Sequence, residues 1–332
     1  MARDKFIENF ESGEEVEEIF FVSEKAVKYS KNGKPYLDLK LSDRSGSISC
    51  KIWDDVDKWD SRFSKGAFVS LRAGVENYQD KLQLRFHAMR EAEPEEVDGN
   101  DFLDSLSTEQ VEYFFQKIKS TVLEMQNPHL KALLEHFLDD PAFSSEMKKC
   151  PAAKEVHHNL IGGLVKHICY MLAIAKSLKR IYKEINLDLL ISGVILHDIG
   201  KIQELNADVT INYTPVGELV GHTVLGIKMI RDKISLIPNF PENLAILLEH
   251  MLLSHHGTSD FGAIRLPMFR EAILLHMIDN IDAKMEVVSK SLRKASSNEI
   301  WTDKVWALDN RKLLQTELFL DGDREVKEEV SQ

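Results

Sequence analysis

Leu196-His197-Asp198-Ile199-Gly200-Lys201 ends an apolar run that begins at Leu189. An imidazole and a carboxylate at the end of a buried run are normally costly. One reason to place them there is to hold a metal ion. The run lies in a long helical tract. Apolar spacing predicts helices at about 127–138, 143–149, 160–181, 187–199, 221–235, 241–255 and 267–293, with a shorter one at 303–315. Ser107 and Gln110 form a capping box ahead of Val111, Phe114, Phe115 and Ile118. Strong strand signals are nearly absent after residue 101, so the second half is expected to be all-α.

Upstream the period changes from 3.6 to 2. Tyr36-Leu37-Asp38-Leu39-Lys40-Leu41 alternates, as do Ser47–Trp53, Phe68–Val75 and Leu82–Ala88. Ile19-Phe20-Phe21-Val22 opens the series, and Lys25–Ser30 continues it beyond a bend. Asn32-Gly33, Ser45-Gly46 and Gln79-Asp80 supply turns. About five short strands in some 75 residues, with a helical or irregular stretch near 54–63, suggest a small barrel of the OB type. The expected layout is an acidic arm at 1–16, an all-β OB barrel at 17–92, a linker at 93–104, an all-α domain at 105–318 and a charged tail at 319–332. The linker assignment rests on Pro94, Gly99 and a run of acidic residues.

The chain has 332 residues, enough for two domains. Its hydrophobic fraction of 43% and charged fraction of 29% are those of a soluble globular protein. No apolar run approaches the ~20 residues needed to span a bilayer, and Met1–Lys5 leads into charged sequence rather than a secretory signal. Cys50, Cys150 and Cys169 are far apart and in no CxxC pair, which fits reduced thiols and a cytoplasmic location. The net charge of −12 argues against indiscriminate polyanion binding. The stretch 25–51 is nonetheless basic, with six lysines and Arg44 against Asp38 and Asp43.

Nine of the twelve histidines fall at or after position 157. His167 lies within a helix. His197-Asp198 follows thirty positions later, then His222 after Gly221, His255-His256-Gly257 at a helix end, and Asp279 on a long helix. Imidazole and carboxylate ligands without thiolate suit Mn²⁺, Fe²⁺, Co²⁺, Ni²⁺ or Zn²⁺ at a catalytic site. The set exceeds one ion's usual shell. It suffices for two ions bridged by a carboxylate about 4 Å apart, suited to in-line attack on phosphate esters. Asp198 is the expected bridge, because His197 reaches only one ion. Adjacent helical residues point about 100° apart, so His255 and His256 can both ligate only if the helix ends there, for which Gly257 is suited. His158 and His276 are expected beside the ligands rather than among them, and His157 in a capping or similar role. His87, His129, His136 and His250 read as hydrogen-bonded core residues.

The order His167, His197-Asp198, Asp279 resembles the H…HD…D signature of the HD superfamily of metal-dependent phosphohydrolases. The added histidines resemble its two-metal members. Val156-His157-His158-Asn159, Gly162-Gly163-Leu164, Gly221-His222, Ser254-His255-His256-Gly257 and His276…Asp279-Asn280…Asp282-Ala283-Lys284 make the chain similar to the YhaM type of 3′→5′ exoribonuclease over residues 18–295. That resemblance implies an OB domain coupled to an HD domain, with no departure at the metal positions. It also implies that Lys201, following Gly200, swings over the site as a phosphate clamp.

OB barrels bind single strands through a basic groove with aromatic platforms. Lys28, Lys34, Tyr36, Lys51, Trp53, Tyr78, Lys81 and Arg85 are the candidates here, with Tyr29 and Phe86 as further aromatics. The expectation is a 3′→5′ exoribonuclease with two divalent ions, Mn²⁺ first and Mg²⁺ among the alternatives. It would release nucleoside 5′-monophosphates from single-stranded RNA, and also act on single-stranded DNA. Asp198 and Lys201 would be its catalytic residues. Homo-oligomers are left open and no membrane is involved. Two alternatives remain: an HD phosphohydrolase of small or cyclic nucleotides regulated by its OB domain, and a non-catalytic nucleic-acid-binding protein. Thr258-Ser259-Asp260 after His255-His256-Gly257 lacks the GYP segment of cyclic-dinucleotide phosphodiesterases.

Overall fold

The computed structural model describes residues 3–79, 81–154, 158–207, 210–295 and 299–320. His157, Asp80 and the tail from 321 lie outside them. The chain divides into two compact units, with the change at Ser105/Leu106.

The first unit is a closed five-stranded barrel in the order β1-β2-β3-β5-β4. Its strands are β1 (Glu15–Tyr29), β2 (Pro35–Asp43), β3 (Gly46–Ile52), β4 (Phe68–Tyr78) and β5 (Lys81–Glu91), with a short helix α1 (Val56–Asp60) between β3 and β4. The period-two pattern sets which side faces in. Leu37, Leu39 and Leu41 of β2 pair across from Ile52, Cys50 and Ile48 of β3, and all six are buried. Strand β5 runs parallel to β3 and antiparallel to β4, and β4 closes onto β1. Strand β1 is continuous; the expected bend is a register shift between Val22 and Glu24.

Both flanks of the barrel differ from the sequence expectation. The acidic arm is fastened: Arg3 pairs with Asp43 at 2.7 Å, both side chains buried, and the Ile7 N–H donates to the same Asp43 oxygen. The 93–104 stretch is part of the unit rather than a free linker. Arg90 forms a two-bond pair with Glu96, the Arg44 N–H donates to the Asp101 carbonyl, and the Phe102 ring meets Phe68 edge-on at 4.8 Å. Acidic composition reads as linker only when its cationic and aromatic partners lie far off in sequence.

The second unit is helical: α2 (Thr108–Leu123), α3 (Pro128–Leu138), α4 (Pro141–Lys149), α5 (Gly163–Ile181), α6 (Leu187–Leu196), α7 (Lys201–Glu204), α8 (Pro215–Val220), α9 (His222–Ile234), α10 (Glu242–Ser254) and α11 (Arg270–Lys294). The Ser107–Gln110 capping box starts α2 with both reciprocal bonds. Helix α6 is buried on all sides from Leu189 to Leu196, packed among α3, α5, α10 and α11. It stops at Leu196, not 199, so His197–Gly200 form a turn at the centre of the unit. A small hairpin, β6 (Leu205–Ala207) with β7 (Ile211–Tyr213), interrupts the helices, too short for a periodic signal. The expected helix at 303–315 is absent. Asp309 and Asn310 both adopt left-handed backbone, and isolated bridges join Trp301 to Leu314 and Val305 to Arg311. Apolar spacing there suits a helix, but short polar side chains that tolerate positive φ suit a turn. Among the described residues no helix is long and apolar enough to cross a membrane.

Candidate metal centre and nucleic-acid face

Asp198 sits in the turn after α6 and is almost wholly buried. Its two oxygens face different groups. Oδ2 lies 3.2 Å from His197 Nε2; Oδ1 lies 3.6 Å from His222 Nε2 and 3.8 Å from His255 Nε2. His167 Nε2, on α5, is 3.3 Å from both His197 Nε2 and Asp279 Oδ1. The residues thus form two clusters, each with ligand atoms within 4.8 Å of one another: His167, His197 and Asp279, and His222, His255 and His256. Asp198 stands between them.

The rings are fixed from behind. His197 Nδ1 donates to the Val194 carbonyl and His255 Nδ1 to the Leu252 carbonyl. A carbonyl only accepts, so each Nδ1 carries the proton and each Nε2 presents a lone pair to the centre. His222 Nδ1 meets Glu204 Oε1 at 3.0 Å, and His167 Nδ1 meets Asp282 Oδ2 at 2.6 Å. Asp282 also bonds His158 Nε2 at 2.8 Å. Carboxylates so placed orient the imidazole rings and raise their basicity. Asp282 lies one turn beyond Asp279 on α11, so its position was readable. Glu204 was not: it reaches His222 only because α7 and the α8–α9 junction meet.

Helix α10 ends at Ser254, with His255 as its cap and Gly257 at φ +80°. The chain turns there, and the His255 and His256 rings lie 4.0 Å apart, both near His222. His276 Nδ1 donates to the His255 carbonyl, its ring filling the space that a side chain at Gly257 would occupy.

Three buried atoms at the centre have no hydrogen-bond partner among the described residues: Asp198 Oδ1, His222 Nε2 and His255 Nε2. Buried polar atoms are rarely left so. All three are electron-pair donors converging on one point, so the donor set fits a divalent cation. Burial favours neutral Asp198, but the Lys201 ammonium holds its carboxyl well below the usual range. Burial keeps His255 neutral, its pKa well below an ordinary imidazole's. Burial also opposes charge on His167, yet Asp279 and Asp282 together raise its pKa to about 9.

Lys201 differs from expectation. Gly200 has ordinary helical backbone and does not break the chain outward. The Lys201 ammonium is buried and donates to Asp198 Oδ2 at 2.6 Å and to the Ala152 carbonyl at 2.5 Å. It is held on the carboxylate, at the wall of the cavity beside Asp198 and Asp279.

On the barrel, Tyr36 and Trp53 stack at 4.5 Å with 28° between their planes. Lys51 Nζ lies 5.7 Å from the Tyr36 ring and 5.8 Å from the Tyr78 ring. Arg85 is the β5 partner of Lys51, Lys81 the β5 partner of Tyr78, and Lys28 the β1 partner of Tyr36. Lys28, Lys34 and Arg85 are ion-paired with Asp38, Asp54 and Glu15. Such surface pairs are worth about 0–1 kcal/mol and exchange readily. Phe86 instead packs against the barrel core and meets Trp59 edge-on. His87 is not a core residue; it pairs with Glu15 at the surface.

Residues 164–284 match the HD domain family and residues 21–92 match the family described as OB-fold nucleic acid binding domain. The 3′-5′ exoribonuclease YhaM of Geobacillus sp. strain WCH70 is 35% identical over 308 residues, covering 92% of this chain and 94% of the relative. The chain belongs to the YhaM family. In this YhaM-family chain the HD match runs from Leu164 to Lys284 and so contains every residue of both clusters. Among solved structures, the p204 HINb domain aligns with 26% of the chain and 46% of its own length (TM-score 0.23, 17% identity). The single-stranded DNA binding protein Rim1 of S. cerevisiae aligns with 25% of the chain and 98% of its own (TM-score 0.22, 18% identity).

Proposed function

We propose that this protein is a metal-dependent 3′→5′ exoribonuclease that releases nucleoside 5′-monophosphates from single-stranded RNA. The observation that carries the reading is the Asp198 carboxylate between two clusters of inward-facing imidazoles. Membership of a family whose Geobacillus relative is named for that activity supports it. His167, His197 and Asp279 would hold one divalent ion and His222, His255 and His256 a second, with the Asp198 carboxylate available to both; Mn²⁺ would suit these donors. Bound there, the ions supply charge to the scissile phosphate and lower the pKa of water.

The chain's own residues do the rest. Lys201 fixes the Asp198 rotamer, and Glu204 and Asp282 fix the His222 and His167 rings. A water oxygen bonds to phosphorus as the bond to the 3′ oxygen of the preceding nucleotide breaks. That oxygen takes up a proton, and the phosphate leaves on the terminal nucleotide. The test is a 5′-labelled single-stranded RNA with Mn²⁺. A ladder shortening from the 3′ end, with mononucleotide product, is expected. Preferential hydrolysis of free nucleotides would overturn the reading.

Tyr36, Trp53, Lys51 and Tyr78 bind the strand, with Lys28, Lys34, Lys81 and Arg85 as backbone contacts. Base stacking on an aromatic is worth about 1–3 kcal/mol. Trp53→Ala therefore weakens single-stranded RNA binding by about 5- to 150-fold, read by anisotropy of a labelled oligonucleotide. Unchanged affinity would remove this face from the account.

Metal uptake also has a pH signature. His167, raised to about 9 in the metal-free protein, must lose its proton to ligate. Uptake at pH 7.5 releases that proton, and apparent affinity rises about tenfold per pH unit until about pH 9. In the metal-free chain the sign is opposite. The stabilisation from charged His167 is complete below the unfolded value of about 6.5. It is lost as pH rises through about 9. Calorimetric titration in buffers of different ionisation enthalpy measures the proton; affinity independent of pH from 7 to 9 would contradict the assignment.

A further inference from the structure

A cavity of about 340 Å³ opens beside Asp198 and Asp279. One wall is a stripe of α11, where His276, Asn280, Ala283 and Val287 recur at helical spacing, with Lys284 beside them. The opposite lining comes from Ala307, Leu308, Asp309 and Arg311. These four lie in the 300–315 segment, beyond the residues matched to the HD family. The segment is a prefolded hairpin. The Thr302 N–H donates to the Leu313 carbonyl, the Gln315 N–H to Ile300, the Val305 N–H to Arg311 and the Leu308 N–H to Val305. Leu308 is buried, whereas Arg311 is exposed and, among the described residues, forms its ion pair with Asp309 at the surface.

The geometry points to a subsite for the departing nucleotide, walled by this hairpin, in which Arg311 recognises the anionic 5′-monophosphate. The inference rests on the nuclease reading above. A nucleotide removed from the 3′ end leaves with the scissile phosphate on its own 5′ oxygen, so its ribose and base must lie beside the metal clusters. The cavity is at the lower end of the ~300–1,000 Å³ range of small-molecule sites, room for one nucleotide. Its lining divides to suit: acidic and imidazole groups with Lys201 at the metal end, Ala283, Val287 and Leu308 for a flat apolar face, and Lys284 and Arg311 for further positive charge. Hydrolysis adds a negative charge to the leaving phosphate. A guanidinium can follow it with two parallel bonds, exchanging Asp309 for the phosphate at little cost. A hairpin already closed by its own hydrogen bonds pays little ordering entropy on binding.

The probe is adenosine 5′-monophosphate with the full-length Mn²⁺-loaded protein, measured by equilibrium dialysis and as a product inhibitor of RNA hydrolysis. Arg311→Ala is expected to weaken its binding about tenfold or more, with metal content unchanged, and Arg311→Lys to recover part of the loss. Ala307→Trp, which fills the cavity from the hairpin side, should abolish binding in a chain whose circular dichroism is unaltered. Wild-type affinity in both Arg311→Ala and Ala307→Trp overturns the subsite, as does a wild-type enzyme that shortens RNA but does not bind the mononucleotide. Failure of the nuclease reading is distinguishable, since the wild type would then leave the labelled RNA intact.

Discussion

Asp198→Asn lowers metal-dependent RNA hydrolysis by on the order of 10³-fold or more, while single-strand binding stays near wild type. Asp198 is the only carboxylate placed between both imidazole clusters among the described residues. The amide keeps the shape and still accepts from Lys201, but it removes the charge that the proposed pair of ions would share. Alanine is the harsher change. It leaves the buried Lys201 ammonium with the Ala152 carbonyl alone, and breaking a buried pair costs about 3–5 kcal/mol. Lost activity in Asp198→Ala would therefore mix chemistry with instability, and Asp198→Asn separates them. Single-turnover hydrolysis with an equal thermal midpoint is the measurement; activity within tenfold of wild type would sink the bridging role.

Gly200→Ala should be nearly as damaging although it touches no ligand directly. Gly200 has ordinary helical φ, so backbone freedom is not its purpose. A Cβ there would lie 1.9 Å from the His222 carbonyl oxygen and 2.7 Å from the Gly226 nitrogen. Both are backbone atoms of α9 and cannot rotate away. Helix α9 would have to retreat, carrying His222 off the centre. Alanine's propensity gain of up to about 1 kcal/mol is outweighed by overpacking of about 1–3 kcal/mol or more. A net loss near 2 kcal/mol lowers the thermal midpoint by about 4–8 °C for a unit of this size. Metal affinity falls with it. A variant as stable as wild type, with wild-type metal content, would mean that α7 and α9 are not in this close approach.

Much of this architecture is written locally. The alternation of Leu37, Leu39 and Leu41 fixes the inward face of β2, and the Ser107–Gln110 box fixes the start of α2. The candidate ligands could be gathered from residue type and order: His197, His222, His255 and His256 lie at helix ends, while His167 and Asp279 lie within helices. Features that depend on long-range placement were not legible. Glu204 becomes the partner of His222 only through the packing of α7 on α9. The 93–104 stretch looks like a linker until Phe68 and Arg44 are brought against it. At 303–315 apolar spacing and turn chemistry conflict. The left-handed Asp309-Asn310 pair prevails, and that turn is what brings Arg311 to the cavity.

The proposed centre would hold two ions joined by Asp198, and counting the ions tests this most directly. Native mass spectrometry of the Mn²⁺-loaded protein should show two ions per chain in the wild type and fewer in Asp198→Asn, with hydrolysis tracking occupancy of the second ion. Full activity with one bound ion per chain would contradict it.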